Sequence, residues 1–288
     1  MRTLISIFVL LVSSTLHAEA LPGWVNQDGL AHPRLGQVLD TASGEWLSAE
    51  QLIDRLVRHE HVLVGEKHDN IDHHRLQLWL LHALQQHRPQ AALVMEMLGP
   101  DQQQAIDQLH GQPLPDDLKL QQQLAWSAGW DWMQYADLVK WGLSTAQSLL
   151  AANLTRGEMG GVYRDPLPLA DVIDEAGREL LAQVMQDSHC GALPESAVPA
   201  MLAIQQGRDQ RMAQVMATAP VPALLIAGGF HVRKDLGAPV HWPEQISAPV
   251  VLLLQESQAD LADARQADYV WVTPATPETD YCAQMSGS

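Results

Sequence analysis

The chain has 288 residues, and its 34 acidic and 17 basic side chains give a formal net charge of −17 at pH 7. So strong a negative charge argues against nucleic acid and anionic membrane surfaces as partners. The two cysteines, Cys190 and Cys282, are too few for thiolate zinc sites or iron–sulfur clusters, although they are able to pair in an oxidising compartment. A metal site would therefore use His, Glu, Asp or Tyr side chains.

The first 20 residues have the pattern of an export signal. Arg2 supplies a positive charge, and the apolar run 4–12 that follows is too short to span a membrane. Small residues end the segment at Ala20, at the spacing that signal peptidase recognises. We predict a signal peptide at 1–20, cleaved near Ala20, and a single domain at 21–288 in the periplasm. No cysteine lies directly after the apolar run, so the sequence predicts no lipid anchor.

Two stretches share one pattern, an apolar strand followed by Gly-x-x-His. The first ends in Gly65-Glu66-Lys67-His68 and the second in Gly228-Gly229-Phe230-His231. β-Branched and apolar residues predict a buried strand before each, and a helical spacing of apolar residues follows the first. Strands that alternate with helices in this way are typical of a parallel sheet.

The other predicted elements complete an α/β fold. Ser48 with Gln51 three residues later predicts a capped helix before the first site strand. Residues 101–150 are helical and rich in Gln and Trp, and the tail from Thr273 is expected to be loose. Further strands are predicted at 91–97, 149–154, 250–254 and 269–272. We predict a central, mainly parallel sheet flanked by helices, with a helical insert.

Ionisable and polar side chains follow several of these strands. Because the carboxyl ends of parallel strands meet at one edge, where α/β proteins bind ligands, we expect these side chains to lie together. The set consists of Glu66, His68, Glu96 and His231, with Asn153 and Arg156 as neighbours.

Three kinds of chemistry fit this set. Two His and two Glu can hold a divalent metal ion in a metal-assisted hydrolase. Without a metal, neighbouring carboxylates push their pKa values apart and a His relays protons. Alternatively, an apolar cleft lined by Trp and Met binds haem, with Tyr or His as the axial ligand. The residues alone leave all three open.

Several motifs resemble those of the ChaN family of haem-binding proteins, within a wider group that includes the Tiki and TraB proteins and erythromycin esterase. The similarity spans roughly residues 45–245. Its motifs are Gly65-Glu66-Lys67-His68-Asp69-Asn70 with His73-His74, Met95-Glu96-Met97, Trp132-Met133-Gln134-Tyr135, Ala151-Ala152-Asn153-Leu154, residues 206–213 and Gly228-Gly229-Phe230-His231.

The resemblance implies a role in bacterial haem iron uptake, with haem held at a dimer interface through a tyrosine. Tyr135, in the family-like Trp-x-x-Tyr, is the first choice of iron ligand, and Tyr163 is the second. His68, Asn153 and Arg156 complete the predicted haem-binding set. The predicted partners are haem, a second copy of the chain on haem binding, and an outer-membrane haem receptor or periplasmic haem transport proteins.

Hydrolysis is the alternative that the resemblance implies. Related branches use the two Gly-x-x-His motifs and paired Glu residues for hydrolysis, and this chain keeps all four residues. The alternative prediction is a metal-dependent or Glu/His hydrolase whose catalytic residues are Glu66, His68, Glu96 and His231, with a divalent metal ion in that pocket. Haem binding without enzymatic activity is the favoured prediction.

Overall fold

The computed structural model describes residues 20–166, 168–169, 171–278 and 282, so the predicted signal peptide, apart from Ala20, lies outside the described residues. The described strands are β1 (Val38–Asp40), β2 (Trp46–Leu47), β3 (His61–Glu66), β4 (Ala92–Met95), β5 (Ser148–Ala151), β6 (Ala223–Gly228), β7 (Val250–Glu256) and β8 (Tyr269–Thr273). They form a single sheet in the order β2-β1-β8-β7-β3-β6-β4-β5.

Helices cover both faces of this sheet. They are α1 (Ala49–Leu56), α2 (Ile71–His87), α3 (Gln103–Leu109), α4 (Asp117–Gln123), α5 (Trp132–Ser144), α6 (Arg156–Arg164), α7 (Glu175–Ser188), α8 (Val198–Thr218) and α9 (Gly229–Val232). Helices α3 to α5 form the insert between β4 and β5. The predicted cap of α1 is present, because Ser48 accepts a hydrogen bond from Gln51 N–H and Gln51 Oε1 accepts one from Ser48 N–H. The predicted α/β fold is confirmed.

The six strands from β8 to β5 are parallel, and only β1 and β2 run antiparallel to their neighbours. The strand β3 lies between β6 and β7, with Glu66 opposite Gly228. Its side chains alternate between two apolar layers: Val64 packs into the cluster that includes α2 and α5, and Leu63 packs with Met212 of α8. Burial on both faces explains the continuous apolar runs of the inner strands.

Both outer edges of the sheet are short or covered. At the β5 edge, Gln103 of α3 takes the place of a neighbouring strand, because its Oε1 accepts from Ala151 N–H at 2.9 Å and its Nε2 donates to Leu149 O at 3.0 Å. At the opposite edge, β2 contributes only two residues. No helix within the described ranges is long and apolar enough to cross a membrane.

The C-terminal segment is held to the domain, and the expectation of a loose tail from Thr273 is wrong for its first residues. Ala275 forms a backbone bridge with Asp28, and the side chain of Thr276 binds Glu256. A disulfide joins Cys190, which follows α7, to Cys282 across 92 residues. Polar contacts that local sequence composition does not reveal therefore fix this segment.

Candidate functional site

The ends of β3, β4 and β6 bring the predicted set together. Glu66 ends β3, Glu96 directly follows β4, and His231 lies in the short helix α9 that follows β6. Glu96 Oε2 accepts a hydrogen bond from Gly228 N–H at 2.8 Å, and Glu96 Oε1 lies 3.4 Å from His231 Nε2. The parallel register of the strands thus gathers residues from three separate parts of the sequence.

Glu66 is the most enclosed member of this cluster. Its Oε1 accepts hydrogen bonds from Tyr135 Oη at 2.5 Å and from His68 Nδ1 at 2.9 Å, and its Oε2 accepts one from Gln77 Nε2 at 2.6 Å. His74 Nε2 lies 3.2 Å from Oε2 as an ion-pair contact without hydrogen-bond alignment. Burial alone raises the pKa of Glu66, but the His74 charge and the His68 hydrogen bond hold that pKa well below its usual range.

Glu96 and His231 form a second charged pair, which Asp209 of α8 completes. Asp209 Oδ1 lies 2.5 Å from His231 Nδ1. Burial opposes the charge on His231, but the Glu96 and Asp209 carboxylates raise its pKa to about 10. Burial likewise raises the pKa of Glu96, but the charges of His231 and His68 lower it to about 2. Both groups are therefore charged near neutral pH.

His68 is the accessible member of the cluster. Its side chain is 38% exposed, its Nδ1 contacts Glu66 and its Nε2 lies 3.7 Å from Glu96 Oε2. Burial of the ring opposes its charge, but the Glu96 and Glu66 carboxylates raise the pKa of His68. A Cβ atom on Gly228 would lie 2.7 Å from His68 Nε2, so only glycine at that position allows this close approach.

The sequence analysis did not assign three partners of this cluster. Asp209 and Gln205 lie one turn apart on α8 and both contact His231, while Gln77 of α2 binds Glu66. The available signal was the four-residue spacing of Gln205 and Asp209 on a helix with three Met residues, which places both on one face. Nothing local in the sequence shows that this face meets His231.

A cavity of about 480 Å³ opens above His68 and His231, and we call it the strand-end cavity. Glu66, His68 and His231 of the charged cluster form its floor, and side chains of α7 such as Leu181 and Met185 form one apolar wall. Phe230, exposed at 36%, lies at its lining as well. The cavity therefore combines an apolar wall with a floor of paired charges, an arrangement common to small-molecule sites.

A second cavity, of about 540 Å³, lies next to it, and we call it the tryptophan cavity. Trp126 and Trp130 line it, and the edge of Trp130 contacts His68 with ring centroids 4.8 Å apart. The predicted residues Asn153 and Arg156 line this cavity too. The Asn153 amide is already engaged, because its Nδ2 donates to Glu96 O and its Oδ1 accepts from Leu154 N–H.

The two predicted tyrosines lie in opposite environments. Tyr135 of α5 is 1% exposed and packs against Trp126 and Trp130, with its hydroxyl bound to Glu66. Burial and the Glu66 charge raise the pKa of Tyr135 above its usual range. Tyr163 of α6 is 48% exposed.

The structure does not support the divalent metal ion that the sequence analysis kept as an alternative. Within the described ranges, no group of three or more His, Cys, Asp and Glu side chains is arranged to hold a metal ion. The physical reason is that the candidate ligands already bind one another. The Glu66 carboxylate accepts hydrogen bonds from Tyr135, His68 and Gln77, and Asp209 contacts His231 Nδ1.

Comparison with known proteins agrees with the fold. The chain is similar to the solved structure of ChaN from Campylobacter jejuni, which shows cofacial haem binding; the two are 27% identical over 81% of this chain and 95% of that chain, with a TM-score of 0.70. A Bacillus cereus protein is 11% identical over 72% of this chain and 68% of that chain, with a TM-score of 0.45. A variant of an erythromycin esterase in its open conformation is 11% identical over 72% of each chain, with a TM-score of 0.43.

A search of curated proteins gave no match. A family model described as haem-binding uptake, Tiki superfamily, ChaN matches residues 52–241, which is more than half of the chain. This match includes both Gly-x-x-His motifs and every residue of the cluster, and it confirms the resemblance seen in the sequence. The chain therefore belongs to the ChaN haem-binding uptake family of the Tiki superfamily.

Proposed function

We propose that this chain binds haem in the periplasm and assists bacterial haem iron uptake. The observation that carries the proposal is the family match over residues 52–241, together with a tryptophan-lined cavity to which α6, the helix that carries the exposed Tyr163, contributes lining residues. The related ChaN of Campylobacter jejuni binds haem cofacially. The export signal pattern and the Cys190–Cys282 disulfide support an oxidising compartment such as the periplasm.

The lining of the tryptophan cavity suits a haem macrocycle. Trp126, Trp130, Met97 and Met159 present aromatic and thioether surfaces to it, which match a flat, apolar ring system. When bound, haem would supply an iron that a phenolate or an imidazole of the chain could ligate. His68, whose ring touches Trp130, stands at the boundary between this cavity and the strand-end cavity.

We propose Tyr163, rather than Tyr135, as the iron ligand. A tyrosine ligand has to reach the iron and lose its phenol proton. Tyr135 is poorly suited to this, because it is enclosed, its hydroxyl is bound to Glu66, and its pKa is raised. Tyr163 is exposed on α6 and lies seven residues after Arg156, so the two share one helix face. An exposed ligand also suits haem held between two copies of the chain, and we propose such a homodimer on haem binding. An outer-membrane haem receptor or periplasmic transport proteins would be the exchange partners.

A haem titration of the mature chain, followed by absorbance and gel filtration, tests this proposal. We expect a saturable Soret change, a tyrosinate-type ferric spectrum and a shift to a dimer. Tyr163→Phe should weaken haem binding by about tenfold or more and change the ligand spectrum. Tyr135→Phe is the matched control, because that side chain is enclosed, and it should keep the wild-type spectrum.

Two outcomes would contradict the proposal in different ways. Absence of any Soret change at micromolar haem would reject haem binding itself. If Tyr135→Phe lost the tyrosinate spectrum while Tyr163→Phe kept it, Tyr163 would be rejected as the iron ligand and Tyr135 of α5 would be favoured.

A second candidate function is metal-free hydrolysis in the strand-end cavity. The observation that favours it is the accessible His68 ring, whose Nδ1 is fixed by the buried Glu66 carboxylate at 2.9 Å. A histidine oriented by a carboxylate is the usual arrangement of a residue that transfers protons during catalysis. His231 on the same cavity floor, and Glu96 paired with it, would complete the set predicted from the sequence.

Turnover of generic esters by the mature chain tests this second function. If His68 transfers protons, His68→Gln should lower the rate about 100-fold or more. His87→Gln, exposed on α2 and remote from the cluster, is the control and should keep full activity. Equal rates for the wild type and His68→Gln would reject the hydrolase.

A further inference from the structure

We propose that Arg156 and Arg208 form a carboxylate-binding subsite in the tryptophan cavity, which holds the propionate groups of haem. The proposal rests on the haem-binding function proposed above and assigns residues to one part of the ligand. Arg156 begins α6, Arg208 comes from α8, and both line the cavity. Neither forms an ion pair with any carboxylate of the described ranges.

Among the described residues, Arg208 has no hydrogen-bonded carboxylate partner. Within the part of the chain that the structure describes, its buried Nε has no hydrogen-bond acceptor, and its Nη2 donates to the sulfur of Met159 at 3.1 Å. Thioether sulfur is a weak acceptor, so the guanidinium keeps most of its capacity to donate. The charge of the adjacent Asp209 acts on Arg208, but this carboxylate forms no ion pair with the guanidinium and instead binds His231 at 2.5 Å.

A third arginine in the same region, by contrast, does form an ion pair with a carboxylate. Arg211, one turn further along α8, pairs with Glu158 of α6 at 2.7 Å. Within the described ranges, the same two helices therefore give Arg211 an ion-pair partner and give none to Arg156 or Arg208. In a chain of net charge −17, two arginines without ion pairs in one cavity indicate a site for an anion.

The local charge of the cavity is consistent with this role. Asp101 carries the only carboxylate among the described side chains that line it, and it forms no ion pair with either arginine. Arg156 also stands at the N-terminus of α6, where the helix dipole adds positive potential. Guanidinium groups bind carboxylates through two parallel hydrogen bonds, which gives direction as well as affinity.

The surrounding surface narrows the class of anion. Trp126 and Trp130 favour a flat aromatic body, so the cavity as a whole fits an aromatic ring system with carboxylates at one edge. Arg156 and the proposed ligand Tyr163 are about 10 Å apart along one face of α6. The helix can thus contact the carboxylate edge and the iron of a single haem at separate points.

Comparing haem with its dimethyl ester, in which both carboxylates are blocked, tests the subsite. Three proteins are titrated with each compound, with Trp fluorescence and absorbance as readouts. They are the mature chain, the double variant that combines Arg156→Gln with Arg208→Gln, and the control Arg164→Gln. Arg164 lies on α6 but does not line the cavity. We expect the double variant to bind haem at least about tenfold more weakly than the wild type does, and to bind the ester with the wild-type affinity. Asp101→Asn should bind haem more tightly than the wild type.

The outcomes separate this inference from the function on which it rests. Wild-type protein that binds neither compound rejects haem binding and the subsite together. Haem binding that the double variant or esterification leaves unchanged rejects the subsite alone. If the double variant fails to fold, the single variant Arg156→Gln replaces it, because an exposed position tolerates this change. It too should bind haem more weakly than the wild type, and unchanged haem binding would reject the subsite.

Discussion

Replacing Glu66 by Gln should lower the free energy of unfolding by about 3–5 kcal/mol, because it breaks a buried charged network at its centre. The carboxylate accepts hydrogen bonds from Tyr135, His68 and Gln77, and it lies beside His74. A glutamine has the same shape but one oxygen, so its amide group would face either the Gln77 amide or the Tyr135 and His68 donors. At least one buried donor is then left without an acceptor.

Urea unfolding followed by circular dichroism measures this loss. Glu158→Gln is the matched control, since Glu158 pairs with Arg211 at the surface and its side chain is 40% exposed. That change should lower stability by about 1 kcal/mol or less. Equal effects of the two substitutions would mean that the Glu66 network does not hold the strand ends together.

The wild-type protein should lose about 2–3 kcal/mol of stability through His73 alone between about pH 7.5 and about pH 4.5. His73 is fully buried; its Nδ1 accepts from Lys67 N–H at 2.9 Å, and its Nε2 donates to Thr273 Oγ1 at 2.8 Å. This geometry requires a neutral ring, because a proton on Nδ1 would face the Lys67 N–H. Burial lowers the pKa of His73 from 6.5 to about 3.

The sign follows from that difference. A folded-state pKa of about 3, below the unfolded value of 6.5, means that the folded protein binds fewer protons. The stability linked to His73 is therefore complete above pH 6.5 and is lost as the pH falls towards 3. Glu96, whose pKa is lowered to about 2, adds a similar loss below its unfolded pKa of 4.5.

A variant isolates the His73 contribution from that of the other groups. His73→Gln cannot take up a proton, so its stability should fall less steeply with acid than that of the wild type. His87→Gln, exposed on the same helix, is the control and should follow the wild-type curve. Parallel curves for His73→Gln and the wild type, by urea unfolding at the two pH values, would exclude His73 as the source.

Much of the fold could be predicted because the sheet is buried on both faces. Strands such as 61–66 and 223–228 are buried along their whole length, with an apolar centre and a glycine at or next to the last residue, which is a strong local signal. The same signal located Glu66 and His231 at one edge, since parallel register alone brings their strand ends together.

The rest of the site depends on how helices pack on the sheet, which local patterns do not encode. Asp209 is one polar residue among several on α8, and only the packing of that helix directs it at His231. Likewise, Trp-x-x-Tyr gives no indication that Tyr135 faces inward to Glu66. The tryptophan cavity arises where the insert meets α6 and α8, three segments separated along the chain.

Gln103 has a consequence for how two copies of this chain can associate. An amide that occupies the hydrogen-bonding positions of β5 prevents a strand of another molecule from extending the sheet there. At the far edge, the two residues of β2 are too few to template such an addition. If two chains pair through the described part of the structure, side-chain surfaces would carry the contact, and a small ligand could bridge and release these without breaking a backbone ladder.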